Sequence, residues 1–398
     1  MRAAAWLLVC ASSGLAQFSD LAPTQDGAEV FFVTPLSQHG SDQFPHSKVF
    51  AWSETGLRLL DQRNEISLAG GVVPSPTPTS MVTATQDGSF VSFETGPFCS
   101  GGGSSCFTRE RYAGYVLDRH SGEEISLSGH VRLSRGGKYA LWWKTPQAFL
   151  PGVPPSEIED RTTGSRTALQ LSGPGAIASN GTVLFAFGRT GTLVRPDGSQ
   201  TQLTFPADVS TALINDSGTI ALLETSAALL FLNLTSGAIA GSIPDAVMPS
   251  LSADGQSLVY LAKAEGSPQL FFSHIDGSGR KQLTHLAGGV SSAVLSGDAR
   301  AAWTATVDGR LLKIEIEAGT IREVLAPPLL KSVAAPVFSY LPEARIVPGS
   351  LLRITGLRLG NDVRFDGLSG IVVRLASCSC RSRGSSRILR QIEVGRTS

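Results

Sequence analysis

A short turn that returns seven times constrains this chain more than any other feature. It stands at Asp26-Gly27, Asp87-Gly88, Gly136-Gly137, Asn180-Gly181, Ser217-Gly218, Asp254-Gly255 and Gly297-Asp298, at intervals of 37 to 61 residues. Asp, Asn and Gly accept the positive φ that tight hairpin turns demand. A short apolar strand precedes each turn. A second strand follows it, such as "EVFFV", "YALWW", "TIALLE" or "SLVYLA". A third strand, a Gly turn and a fourth strand complete the unit. Its clearest copy is "PSLSADGQSLVYLAKAEGSPQLFFSHIDGSGRKQLT", from Pro249 to Thr284. Repeats of this length bury their apolar faces by stacking on one another. The second strands are apolar almost throughout, as strands covered on both faces are. A propeller blade, sandwiched between its neighbours, has that burial. No segment combines a sustained helical period with caps. The expectation is an all-β chain with a seven-bladed β-propeller over residues 17–325.

The copy at "LSADGQSLVYLAKAEGSPQLFFSHIDGSGRKQLT" resembles the repeat of TolB-type β-propellers, and the resemblance extends over roughly residues 20–325. It implies a fold far more than an activity, because such propellers serve as scaffolds, receptors and accessory domains. After Val324 the repeat stops, and residues 326–340, containing "LAPPLLKSVAAP", read as a linker. Residues 341–373 resemble the opening of an IPT/TIG-type immunoglobulin-like module. The resemblance rests on Pro348-Gly349, the alternation at Leu352 and Ile354, Gly356, and Val363 to Gly367. It implies part of a β-sandwich, with too few strands to complete one. The tail, residues 374–398, holds six arginines and many serines and reads as disordered.

Composition narrows the function classes. The 33 basic and 33 acidic residues balance, so outside the tail no one-signed field exists to attract nucleic acid. Arg2, the apolar run Ala3 to Ala11 and the small residues Gly14 and Ala16 read as a signal peptide, residues 1–16, cleaved after Ala16. The run is too short to span a bilayer, and no later segment suits a transmembrane helix. The resulting expectation is a periplasmic, cell-surface or secreted monomer. In an oxidising compartment Cys99 and Cys106, flanking "SGGGSS", are expected to form a local disulfide.

Motifs for catalysis are not found: no G-x-S-x-G elbow, H-E-x-x-H, P-loop or dinucleotide fingerprint. About 70 residues after the repeats cannot house a hydrolase domain. No catalytic residue, metal ligand or cofactor is therefore assigned. His39, Asp42 and His46 have the chemistry of metal ligands, but polar loops carry such residues merely because they are solvated. Adjacent Trp142 and Trp143 face opposite ways in a strand, which suits burial on the two sides of one blade.

The insertions are more informative. The link between second and third strands is short in copies four to seven. In copies one to three it is long, at Thr34 to Ser47, Gly96 to Tyr112 and Thr145 to Pro155. All three inserts should therefore rim one face, and repeat folds often bind where insertions collect. Their candidate ligand-binding residues are His39, Asp42, His46, Arg109, Arg111, Tyr112 and Phe149. The expected function is non-catalytic binding or scaffolding toward an envelope or extracellular protein, peptide or glycan. The alternative is a propeller enzyme of lyase or lactonase type, with acidic and His residues at a channel mouth. Mass spectrometry of unreduced peptides from exported protein is expected to show Cys99 linked to Cys106; free thiols at both positions would refute the pairing.

Overall fold

The computed structural model describes residues 18–37, 46–60, 64–66, 72–74, 79–98, 111–144, 155–325, 332–334, 353–355, 371–379 and 388–396. Every regular element among them is a β-strand. From Ser19 to Leu325 they form a β-propeller arrangement of six blades, each a sheet whose strands neighbour one another in chain order. A small ladder pairs Asn64–Ile66 with Val72–Pro74.

Each of the seven turns follows the innermost strand of its copy, as the repeat predicts. The number of sheets differs from the number of copies. Copies one, two, three, six and seven each form a four-stranded sheet, whereas copies four and five share a six-stranded one. The cause lies in two continuous strands. Val183–Val194 carries the second and third strands of copy four without a break. Gln200–Ile214 runs from the last strand of copy four into the first of copy five. Gly188 pairs with Val209 across the point where a loop would otherwise separate them.

Packing between copies supplies the core. In the second strands Phe31, Phe32, Leu222, Val259, Tyr260 and Trp303 are wholly buried. Trp142 packs with Val116, Val131 and Leu133 on the copy-two side. Trp143 joins Leu169, Ile177 and Val183 on the copy-four side. The pair thus faces two interfaces, as strand alternation requires. The ring closes without strand exchange, by packing Phe18, Leu21 and Phe32 of copy one against Trp303, Ala305 and Leu311 of copy seven.

Polar links reinforce the same boundaries. Arg119 of copy two donates to both oxygens of Glu29 in copy one, each at 2.7 Å, and to the Gly88 carbonyl at 2.7 Å. Its guanidinium also lies 4.9 Å from the Phe31 ring centroid. At the closure Arg322 pairs with Glu54, with both side chains more than half exposed.

Beyond Leu325 the described strands form two separate pairs. Ser332–Ala334 pairs with Arg353–Thr355. Ile371–Ser379 pairs with Ile388–Arg396. The immunoglobulin-like sandwich is not seen among the described residues, since two isolated ladders supply no second layer. The tail read as disordered contains one of these ladders. "IVVRLASCS" and "ILRQIEVGR" carry enough alternating apolar residues to pair despite their arginines and serines.

The two arginine links are expected to differ in weight. Arg119→Ala removes a bidentate, largely desolvated pair and should cost about 2 kcal/mol. Arg322→Ala removes a solvent-screened pair and should move the unfolding midpoint far less. Urea-unfolding midpoints measure both, and equal losses would contradict this ranking.

Candidate functional site

The inner strands of all seven copies surround an axial cavity of about 300 Å³. One mouth is framed by the seven turns. At the other, the second strands lead into the inserts, because each second strand runs antiparallel to its inner strand.

The turn mouth is built from a single column of the repeat. In "TQDG", "TQDG", "SRGG", "ASNG", "NDSG", "SADG" and "SGDA" the second position is Gln25, Gln86, Arg135, Ser179, Asp216, Ala253 and Gly297. Backbone bonds join these positions around the axis. Gln25 N–H donates to Gln86 O, and Gln86 N–H to Arg135 O, both at 2.7 Å. Asp216 N–H donates to Ala253 O, Ala253 N–H to Gly297 O, and Asp298 N–H to Gln25 O, each at 2.9 Å. Side chains complete the circuit where Gly136 N–H donates to Ser179 Oγ at 2.8 Å and Asn180 Nδ2 to Ser217 O at 2.7 Å.

Two side-chain bridges then cross the mouth. Gln86 Nε2 donates to the Asp216 carboxylate, and Arg135 Nη2 donates to the Leu251 carbonyl at 2.6 Å. Burial pushes the Asp216 carboxyl above its ordinary pKa, against the opposing pull of the Arg135 charge and of hydrogen bonds from Gln86 and Ser179. The buried Oε1 of Gln25 has no hydrogen-bond partner among the described residues.

The insert mouth differs. Inner strands bulge there, with register shifts between Ser19 and Ala22, Ser80 and Thr83, and Val247 and Ser250. Asp20, Met81 and Met248 take positive φ within those bulges. Bulges of this kind bend a strand and re-aim its side chains. Glu94, almost fully buried, lies 2.7 Å from His130 Nδ1 and accepts Val131 N–H at 3.2 Å. Asp20 keeps contact with solvent, yet burial raises its carboxyl pKa and the Glu94 charge raises it further. Arg132 reaches the cavity from the same side, donating to the Gly175 carbonyl at 2.9 Å.

The residues chosen from sequence fall at the rim rather than in this channel. His46, Arg111 and Tyr112 lie on strands His46–Ser53 and Arg111–Asp118, the stems of the first two inserts. His39, Asp42, Arg109, Phe149, Cys99 and Cys106 lie outside the described residues, as does the signal segment. Among the described residues no three His, Cys, Asp or Glu side chains group to hold a metal. No described helix is long and apolar enough to cross a membrane. Sequence reading missed Gln86, Arg132, Arg135 and Asp216. Aligning the copies on their turns would have placed three of the four in one column.

Comparison with known proteins gives a likeness of fold. No family profile matches the chain, and no curated protein matches its sequence. A solved chain from the mitotic checkpoint complex superposes with a TM-score of 0.51 at 14% identity, covering 74% of this chain and 86% of that one. A structure from a study of two prolyl endopeptidases gives a TM-score of 0.53 at 12% identity and covers 96% of this chain. This chain spans 54% of that peptidase, so the likeness leaves much of it unmatched. TolB from Acinetobacter baumannii shares 17% identity at a TM-score of 0.43, over 65% of this chain and 64% of that one.

A pH test follows from Asp216. Its folded pKa is raised, so its stabilising contribution is complete below the unfolded value and is lost as pH rises through the folded one. Asp216→Asn removes that loss. The variant's unfolding midpoint relative to the native chain should therefore climb from the acid end of the carboxylate range to neutrality. A difference independent of pH would show that burial does not penalise this carboxylate.

Proposed function

We propose that this chain is an exported, non-catalytic binding or scaffold protein that takes a protein, peptide or glycan on the insert-bearing face of its propeller. The observation carrying this reading is the placement of the long links. Three neighbouring sheets join their second and third strands over long connections, Ser37 to His46, Phe98 to Arg111 and Trp143 to Glu157. The fifth sheet makes the equivalent link from Ala264 to Ser267, and the sixth from Thr306 to Leu311. Unequal loops on one edge of a rigid ring make a surface that one sector of the ring presents. Within this reading the six-stranded sheet serves as two blades of a TolB-type, seven-unit ring. The protein works as a monomer in the periplasm, at the cell surface or outside the cell.

The enzyme alternative draws on the carboxylates and imidazole at the same mouth, where Asp20, Glu94 and His130 cluster beside Arg132. Perturbed carboxylates mark catalytic sites, but structural networks perturb them too. Glu94 holds the Val131 amide of the next copy. Glu224 does the same for Met248 N–H at 3.0 Å, as a repeated structural device would.

The tests are a pull-down from envelope extract and a glycan array, each run with the full chain. Removing residues 38–45, or replacing Arg109, Arg111 and Tyr112 by Ala, should reduce capture at least tenfold with an unchanged unfolding midpoint. Gln256→Ala, on the turn face, should leave capture intact. Equal loss from both faces, or none from the rim, would defeat the reading.

A further inference from the structure

The axial cavity has a charge arrangement that the rim reading does not use. Three charged side chains line it: Arg132, Arg135 and Asp216. The remaining wall is polar and apolar in about equal parts, its apolar share coming from inner-strand residues such as Leu213 and Val294. Arginine is seldom buried without a carboxylate partner, because moving its charge out of water costs several kcal/mol. Among the described residues neither guanidinium lies in an ion pair. Arg132 donates one hydrogen bond to the Gly175 carbonyl and stands 6.0 Å from the Trp143 ring. Arg135 donates one bond to the Leu251 carbonyl. Each leaves further N–H groups without a partner among the described residues. Burial pulls both guanidinium pKa values down, while each side chain keeps partial contact with solvent, so the unpartnered N–H groups are open to a ligand entering the cavity.

The nearby carboxylates are engaged elsewhere. Glu94 is occupied by His130 and the Val131 amide. Asp216 receives the Gln86 amide. Both attract the arginines only at longer range than an ion pair. A guanidinium offers parallel donors that match the two oxygens of a carboxylate. A concave site that sets apolar surface beside a few aimed polar groups is the common form of a small-molecule pocket, and about 300 Å³ lies at the lower end of their size range.

We propose that the channel is a binding site for a small organic carboxylate, its carboxylate held by Arg132 and its apolar body lying along the inner strands, with Arg135 at the far end. Arg132 is the anchor because it reaches the cavity mid-strand, opposite the second strand's Leu141. Arg135 is tied across the turn mouth. The site is independent of the inserts and of any partner they take.

The experiment titrates the full chain with acetate, butyrate, hexanoate and benzoate, and with benzamide and hexanamide as uncharged analogues, by calorimetry and thermal shift. The acids should bind, more tightly from acetate to hexanoate, and the amides should bind at least tenfold more weakly. Arg132→Gln should weaken benzoate at least tenfold, and Arg132→Lys should restore part of the loss. Removing residues 38–45 should leave benzoate binding unchanged, which separates this site from the rim.

A second measurement needs no variant. Phenylglyoxal modifies accessible arginines, and benzoate should protect Arg132 from it while leaving the exposed Arg300 unprotected. Acids and amides binding alike, no acid binding at all, or modification of Arg132 unaffected by benzoate would each overturn the proposal.

Discussion

Everything in this molecule depends on seven turns meeting around one axis. Six of the turns spend a backbone N–H or carbonyl on a neighbour, and the turn of copy four joins through Ser179 and Asn180 side chains, so the ring closes through local bonds rather than through an exchanged strand. The approach is close. A Cβ on Gly137, at positive φ, would stand 2.7 Å from Thr85 Cγ2 of the preceding copy. One on Gly255 would stand 2.8 Å from Asn215 Cβ. Glycine at these turns therefore meets two demands at once, the hairpin's dihedral and the spacing between copies. The Thr or Ser that opens several turns locks them further. Thr24 Oγ donates to Asp26 at 2.8 Å, and Ser252 Oγ to Asp254 at 2.6 Å.

With the axis fixed, the second strands are covered on both sides. That covering makes a near-continuous apolar strand soluble as part of the ring. It also explains what could be read from the sequence. The run "SLVYLA" announces two-sided burial, and Leu258, Val259 and Tyr260 are indeed fully buried. The turn dipeptides announce the inner strands, which end where expected in every copy. The division into sheets was not legible. It depends on whether a link such as Phe187 to Thr190 turns sharply or continues as paired strand, and Gly188 accepts either. In the tail, arginines and serines dominate the composition, while the cross-strand pairs Val373–Val394 and Leu375–Ile392 bring its alternating apolar residues together in register.

The candidate site was legible only in part. Loop lengths are written in the chain itself, so the face bearing the inserts follows from residue spacing alone. The channel residues could not be found by motif, because no two lie within one local signature. Arg132 sits on a strand rather than in a turn. Nothing near it distinguishes it from an arginine snorkelling to solvent.

The second position of each turn has an unusual freedom that accounts for the character of the axis. At every copy but the fourth its backbone is committed to the ring, but neither the turn's φ nor its capping restricts its side chain. The fold therefore persists whether that position holds Gln25, Arg135, Asp216, Ala253 or Gly297. Size at each position still constrains the others across the narrow mouth. A Cβ on Gly297 would lie 1.8 Å from Gln25 Oε1, so in its present rotamer the amide fills the space a side chain there would take. Arg135 reaches Leu251 O on the side where Ala253 offers only a methyl group. Gln25 and Arg135 thus lean toward the small residues of copies seven and six, while Gln86 and Asp216 join each other across the mouth. A ring built from near-equal repeats acquires a directional interior in this way, at positions the fold itself leaves open.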